Sequence, residues 1–266
     1  MRMQPVLRRL DEIAAVLAAR DDTVALLGLG SCGAQPARLD EHSDLDFFVI
    51  VDEGAKWRYL DRVDWLEAPA PVTYRFAHHR SGRKALYADG VFVEYLVLTA
   101  GELSRVPFSG ARVVWRRPGA PVDLAHTGPP VPRPPFDTEE FHLNDALVSL
   151  YIGLHRELRG ERLSAVRLIQ GRAVDGAIAL LRLGGGEPPY RDAFEPARRV
   201  ERAYPVEVLP LASMVPGYGG NVAAARFTFE WLCRRRTVPA GIGDAIRELI
   251  RSADVRRSPE RGTSTG

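Results

Sequence analysis

Apolar residues recur along this chain with two different periods, and the change from one to the other falls at a proline-rich stretch. Over residues 5–20, Val6, Leu10, Ile13, Val16 and Leu17 recur at helical spacing while Arg8, Arg9, Glu12 and Arg20 lie off the stripe, which predicts an amphipathic helix covering a sheet. Residues 24–27 form a short apolar run that ends where Gly28 and Gly30 allow a tight turn. Residues 45–51 form a longer one, apolar without a break after Asp46, so this strand is expected at the centre of a sheet with both faces covered. Residues 55–66 carry Trp57, Leu60, Val63 and Leu66 at helical spacing and predict a helix crossing over the sheet. Strands are expected at 72–77 and 84–88, flanking His78 to Gly82. Asp89-Gly90 then signals a two-residue hairpin turn into a strand at 91–99, and 113–115 fits an edge strand.

Residues 118–135 hold seven prolines, too many for a helix interior or a central strand, and read as a linker. Beyond them the period is helical. Asp137 followed by Glu140 resembles a capping box, and Leu143, Leu147, Leu150, Tyr151, Leu154 and Leu158 continue as one long stripe. A second helix over 161–183 places Leu163, Val166, Ile169, Ala173, Ala177 and Leu180 inward and stops at the glycines 184–186. Further helices fit 191–203, 221–236 with Asn221 as cap, and 240–251. The expected plan is therefore α+β: a mixed β-sheet domain with flanking helices at 1–117, the linker at 118–135, an all-α helical bundle at 136–255, and a disordered tail at 256–266 that has little to bury.

Composition narrows the chemistry. The net charge of +2 and the scattering of arginines among acids argue against a protein devoted to nucleic acid. The two cysteines, Cys32 and Cys233, are far apart and lack a CxxC partner, so neither a disulfide framework nor a structural zinc site is expected. The sequence has no apolar run long enough for a membrane span, and its amino terminus reads as a helix and not a signal peptide, which points to the cytoplasm.

The chemistry concentrates between residues 24 and 51. Asp44 and Asp46, two residues apart at the mouth of a strand, face the same way, and their mutual repulsion calls for a cation between them. Glu94 interrupts an apolar strand, where an unpaired charge is costly to bury, and either offers a third carboxylate or marks an edge strand with one face wet. Gly28, Gly30 and Gly33 spell GxGxxG, the dinucleotide fingerprint, but Pro36 and the polar loop that follows leave no room for the helix that motif must open. Gly30-Ser31 is better read as a turn whose backbone N–H groups suit phosphate oxygens, and Arg38 in the following loop is either a bidentate phosphate contact or an exposed loop arginine. Arg162, Arg167 and Arg172 either reach phosphate or face solvent. His78 and His79 lack the spacing of a zinc site. Cys32, beside Ser31, is expected near the nucleotide and open to alkylation, whereas Cys233 is expected to be packed.

Gly30-Ser31 followed by Asp44-x-Asp46 and a distant Glu94 resembles the nucleotidyltransferases of the DNA polymerase β superfamily. With the helical second half and its Arg159-Gly160-Glu161 turn, the chain looks most like the lincosamide nucleotidyltransferases, on a two-domain plan shared with aminoglycoside adenylyltransferases. That resemblance implies two Mg2+ ions held by Asp44, Asp46 and Glu94, with Glu94 acting alternatively as a base, and ATP or another nucleoside triphosphate gripped at Gly30 and Ser31. It implies a small-molecule hydroxyl acceptor, an antibiotic in those relatives, held between the two domains, and a homodimer. The other readings are a nucleotide-binding regulatory or antitoxin-like relative without turnover, an enzyme modifying protein or RNA, and a dehydrogenase.

Overall fold

The structure, a computed structural model, describes residues 5–120, 123–131, 136–185, 192 and 195–257. The chain divides into two units, Met1–Pro132 and Arg133–Gly266, each with its own core.

The first unit begins with helix α1 (Pro5–Ala18) and strand β1 (Thr23–Gly28), followed by two single 3-10 turns, Gly30–Cys32 and Pro36–Arg38. Strand β2 (Leu45–Val51), short helices α2 (Lys56–Asp61) and α3 (Asp64–Glu67), and strands β3 (Val72–His79), β4 (Gly82–Tyr87) and β5 (Phe92–Thr99) come next. Helix α4 (Ala100–Leu103) and strand β6 (Arg112–Arg116) complete the sheet. Its order is β3-β4-β5-β2-β1-β6; β2 runs parallel to β5, and every other pair is antiparallel. The sheet is mixed, as the hydrophobic pattern predicts, with β2 in its interior.

Alternation along the strands builds two apolar layers. Phe47, Val49, Tyr95 and Val97 face one way and pack with Trp65, Leu10, Ile13 and Leu17 under α1 to α3. Phe48, Ile50 and Leu98 face the other way and pack with Leu103, Phe108 and Leu124. Leu124 thus belongs to the first unit's core although it lies in the proline-rich stretch; residues 121–122 and 132–135 of that stretch are outside the described residues.

Local chemistry changes several expected elements. The helix over 55–66 is broken at Arg62, where the buried Trp65 indole donates to the carbonyls of Tyr59 and Arg62, each at 3.1 Å. The turn after β4 holds three residues, because Gly90 at φ +88° adds a bulge: its N–H bonds the Tyr87 carbonyl while the Tyr87 N–H bonds Val91. Arg9, placed off the apolar stripe by its charge, is 3% exposed; its guanidinium lies 4.1 Å from the Tyr87 ring centroid and pairs with Glu12 and Asp89.

The second unit consists of α5 (Glu139–Leu158), α6 (Arg162–Val166), a π-helical segment (Arg167–Arg172), α7 (Ala173–Gly185), α8 (Val200–Ala203), α9 (Leu211–Met214), α10 (Asn221–Arg235) and α11 (Ala240–Arg257). Thr138, not Asp137, caps α5, accepting from the Phe141 N–H, while Asp137 turns to His142 and Arg182. Asn221 is no cap: it is buried, accepts from Gln170 at 2.7 Å and donates to Glu157 at 2.7 Å, tying the π segment to α5 and α10. Helix α11 runs two residues into the expected tail, whose remaining residues 258–266 lie outside the described residues, as does most of 186–194 within the region expected to hold a helix over 191–203.

Candidate active site

The glycine-serine turn is pinned to the aspartate strand by backbone and thiol alike. The Leu29 N–H donates to the Asp46 carbonyl at 2.9 Å, and the Cys32 thiol donates to the Asp44 carbonyl at 3.6 Å. Gly28 and Gly33 face each other so closely that a Cβ on Gly33 meets the Gly28 carbonyl oxygen at 2.4 Å. Gly30 has φ +51°, and a Cβ there meets only Asp46 Oδ2, at 3.6 Å. All three glycines of the GxGxxG pattern therefore have a reason in this tight turn. With β1 and β2 antiparallel, no βαβ crossover exists and the dinucleotide reading falls.

Asp44 is exposed just before β2, and Asp46 is half-buried on it. The parallel register of β2 and β5 sets Asp46 directly beside Glu94, which sequence separation conceals. Glu94 is not at an edge. Its carboxylate accepts from Lys84 Nζ at 2.7 Å and meets His78 Nε2 at 3.1 Å, and Lys84 is its register partner on β4. Gly82 makes this possible, since a Cβ there meets the His78 ring at 2.7 Å.

Charge follows this geometry. The hydrogen bond that Lys84 donates to Glu94 raises the Lys84 pKa above its ordinary value, with the Glu94, Asp46 and Asp44 charges adding to it. Burial lowers that of His78 in spite of Glu94. Burial also pushes the Cys32 thiol up to about 11; the Ser31 hydroxyl opposes this and the Asp46 and Asp44 charges reinforce it. Cys32 is 1% exposed and Cys233 is exposed, the reverse of what their sequence neighbours suggest.

Two cations around the carboxylates and the turn carry no local sequence signal. Lys84 is one. Arg112 on β6 is the other: its Nε donates to the Cys32 carbonyl at 3.2 Å, because β6 pairs with β1 opposite Gly28. Arg38 sits on the second 3-10 turn, bonded to Gln35. In the second unit Arg172 pairs with Asp145 at 3.1 Å and Arg162 approaches Glu157 at 3.9 Å.

Among the described residues no group of three His, Cys, Asp or Glu side chains is gathered closely enough to hold a metal ion, Glu94 being turned to Lys84 and His78. The donor chemistry nevertheless suits a hard divalent cation, with the carboxylates of Asp46 and Glu94 on register partners and that of Asp44 two residues before Asp46.

No protein-family model matches the chain, and no curated protein matches it. Among solved structures it is similar to an aminoglycoside 6-adenyltransferase from Bacillus subtilis, at 12% identity and a TM-score of 0.34 over 97% of each chain. It is also similar to a nucleotidyltransferase-like protein from Exiguobacterium sibiricum, at 14% identity and a TM-score of 0.33 over 92% of this chain and 80% of that one. Scores this low leave the activity to be argued from the chain's own residues.

Proposed function

We propose that this chain is a nucleotidyltransferase that moves a nucleoside monophosphate, AMP from ATP in the first instance, to a hydroxyl of a small molecule. The observation that carries this reading is the in-register meeting of Asp46 and Glu94 on neighbouring parallel strands, with the Gly30 turn set against the Asp46 carboxylate.

In this reading Asp44 and Asp46 hold magnesium, and the Gly30-Ser31 turn presents N–H and hydroxyl groups to the triphosphate. Arg112 and Arg38 are placed on the elements around the turn to balance phosphate charge. Magnesium, when bound, neutralises the triphosphate and the charge that builds on the leaving pyrophosphate. Glu94 either completes the ligand set or takes the acceptor proton. The acceptor oxygen forms a bond to the α-phosphorus as the α–β phosphoanhydride breaks, and pyrophosphate carries away the electron pair. Holding these partners in line supplies much of the acceleration.

A reading without turnover, a nucleotide-binding regulatory module, has one observation in its favour: Glu94 is already paired with Lys84 and His78. Pyrophosphate release separates the two. It is measured from ATP, GTP, CTP and UTP with magnesium and a panel of lincosamides and aminoglycosides. Release is expected with at least one pair, abolished by chelator, and lowered about a hundredfold or more by Asp46→Asn. An Asp46→Asn protein as active as its parent sinks the two-metal reading; tight ATP binding with no pyrophosphate favours the regulatory one.

A further inference from the structure

Four side chains stand in one row across the sheet. Asp46 on β2 is the register partner of Glu94 on β5, Glu94 of Lys84 on β4, and Lys84 of Phe76 on β3. Register partners share a face, so the row runs from the carboxylates to an aromatic ring on one surface of the sheet. That ring is uncovered. Phe76 is 41% exposed and Tyr74, two residues along on the same face, is 55% exposed. The two ring centroids lie 5.8 Å apart, and Phe76 is 6.3 Å from the His78 ring that touches Glu94. At about 4.8 Å per strand, the Phe76 backbone stands roughly 10 Å from that of Glu94, the length of a two-ring molecule.

The strand order gives this row a direction. The glycine turn hangs between β1 and β2, on one side of Glu94, whereas β4 and β3 lie on the other. A triphosphate at the turn thus leaves the aromatic side to whatever brings the hydroxyl. Alternation sorts the cations of β3 and β4: Lys84 shares the face of the row, while Arg75 and Arg83 lie on the other face, with Tyr95. The Glu94 charge is met by Lys84 at 2.7 Å, and what the outer two strands offer an acceptor on this face is ring surface for stacking.

We propose that Tyr74 and Phe76 form the acceptor platform of the transferase. They bind a ring-bearing alcohol by stacking and direct its hydroxyl to Glu94. The proposal rests on the nucleotidyltransferase reading for the hydroxyl's fate, but not for the binding itself. The test therefore reads acceptor binding without nucleotide. 4-Nitrophenyl β-D-glucoside (neutral), lincomycin (one basic amine) and kanamycin (polycationic) are titrated by calorimetry into the intact protein and its Phe76→Ala, Tyr74→Ala and Phe76→Tyr variants.

At least one of the three probes is expected to bind; Phe76→Ala costs its binding about tenfold, and Phe76→Tyr restores most of it. Magnesium-ATP affinity should be the same in Phe76→Ala as in the parent. Binding unchanged by both alanine variants, or no binding by any of the three, overturns the proposal. So does a sedimenting dimer dissolved by Phe76→Ala with no probe bound, which makes the face a contact between copies. Probe binding that depends on Phe76 without pyrophosphate release from any nucleotide leaves the platform standing and removes the transferase reading.

Discussion

The Cys32 thiol lies buried between the glycine turn and the aspartate strand, where it donates to the Asp44 carbonyl and its pKa is pushed up to about 11. A thiol so placed has almost no thiolate at neutral pH and no path to a reagent, so its part is to hold Asp44 and not to react. Cys233 is exposed. An aromatic disulfide reagent at pH 8 is expected to titrate one thiol in the native protein, with the second appearing only on unfolding. Cys233→Ser should remove the fast phase; a fast phase surviving in Cys233→Ser refutes the buried placement of Cys32. The neighbouring glycines divide their work in the same physical way. Gly33 is required by space, with the Gly28 carbonyl 2.4 Å from its Cβ position, and Gly30 by its φ of +51°.

Short helices are held in the first unit by side chains more than by length. Helix α4 is a single turn whose Thr99 accepts from the Glu102 N–H while Glu102 accepts from the Thr99 N–H. The same carboxylate takes a charge-assisted bond from the buried Lys56 at 2.5 Å, and Lys56 also donates to Ser81 at 2.7 Å, so α2, α4 and the β3–β4 turn meet at one ammonium. Burial opposes ionisation of Glu102, but Lys56 and the Thr99 N–H outweigh it and hold its pKa below the ordinary 4.5. A depressed carboxylate pKa contributes stability above its unfolded value that is lost as pH falls through the lower folded one. Glu102→Gln should therefore flatten the acid limb of stability, read as melting temperature between about pH 3 and pH 7. An acid limb as steep as the parent's assigns the loss to other carboxylates.

Over the whole first unit, the sheet uses its two faces differently. Phe47 is fully buried on the face beneath α1 to α3, stacked on Tyr95 at 5.3 Å and edge-on to Trp65 at 6.5 Å. Phe76 belongs to the opposite face, at the end where its ring stays exposed. The same substitution should have unlike effects: Phe47→Ala costs about 3–5 kcal/mol of stability, and Phe76→Ala less than about 1 kcal/mol. Chemical denaturation measures both, and equal costs contradict the division of the faces. The second unit buries its own core around Leu147, Leu150, Ile169 and Trp231, and none of the helices among the described residues is long and apolar enough to cross a membrane.

Much of this molecule is written in local sequence. Continuous apolar runs placed β1 and β2, and the β run after the Asp89-Gly90 turn placed β5, each within a residue or two, while period-3.6 stripes placed α1, α5, α10 and α11, because the burial of an element is written in which of its own residues are apolar. The position of Asp44 and Asp46 at the mouth of β2 and the glycine turn before them are legible for the same reason, all lying within one short stretch. Tertiary structure alone decided what meets them. Glu94 sits beside Asp46 because β5 pairs in parallel with β2, and Lys84, His78, Phe76 and Arg112 arrive through strands β4, β3 and β6. Register between strands distant in sequence leaves no periodic trace in any one of them. The strand order also set the direction of the row, from glycine turn to aromatic rings, and with it the side on which an acceptor is proposed to bind.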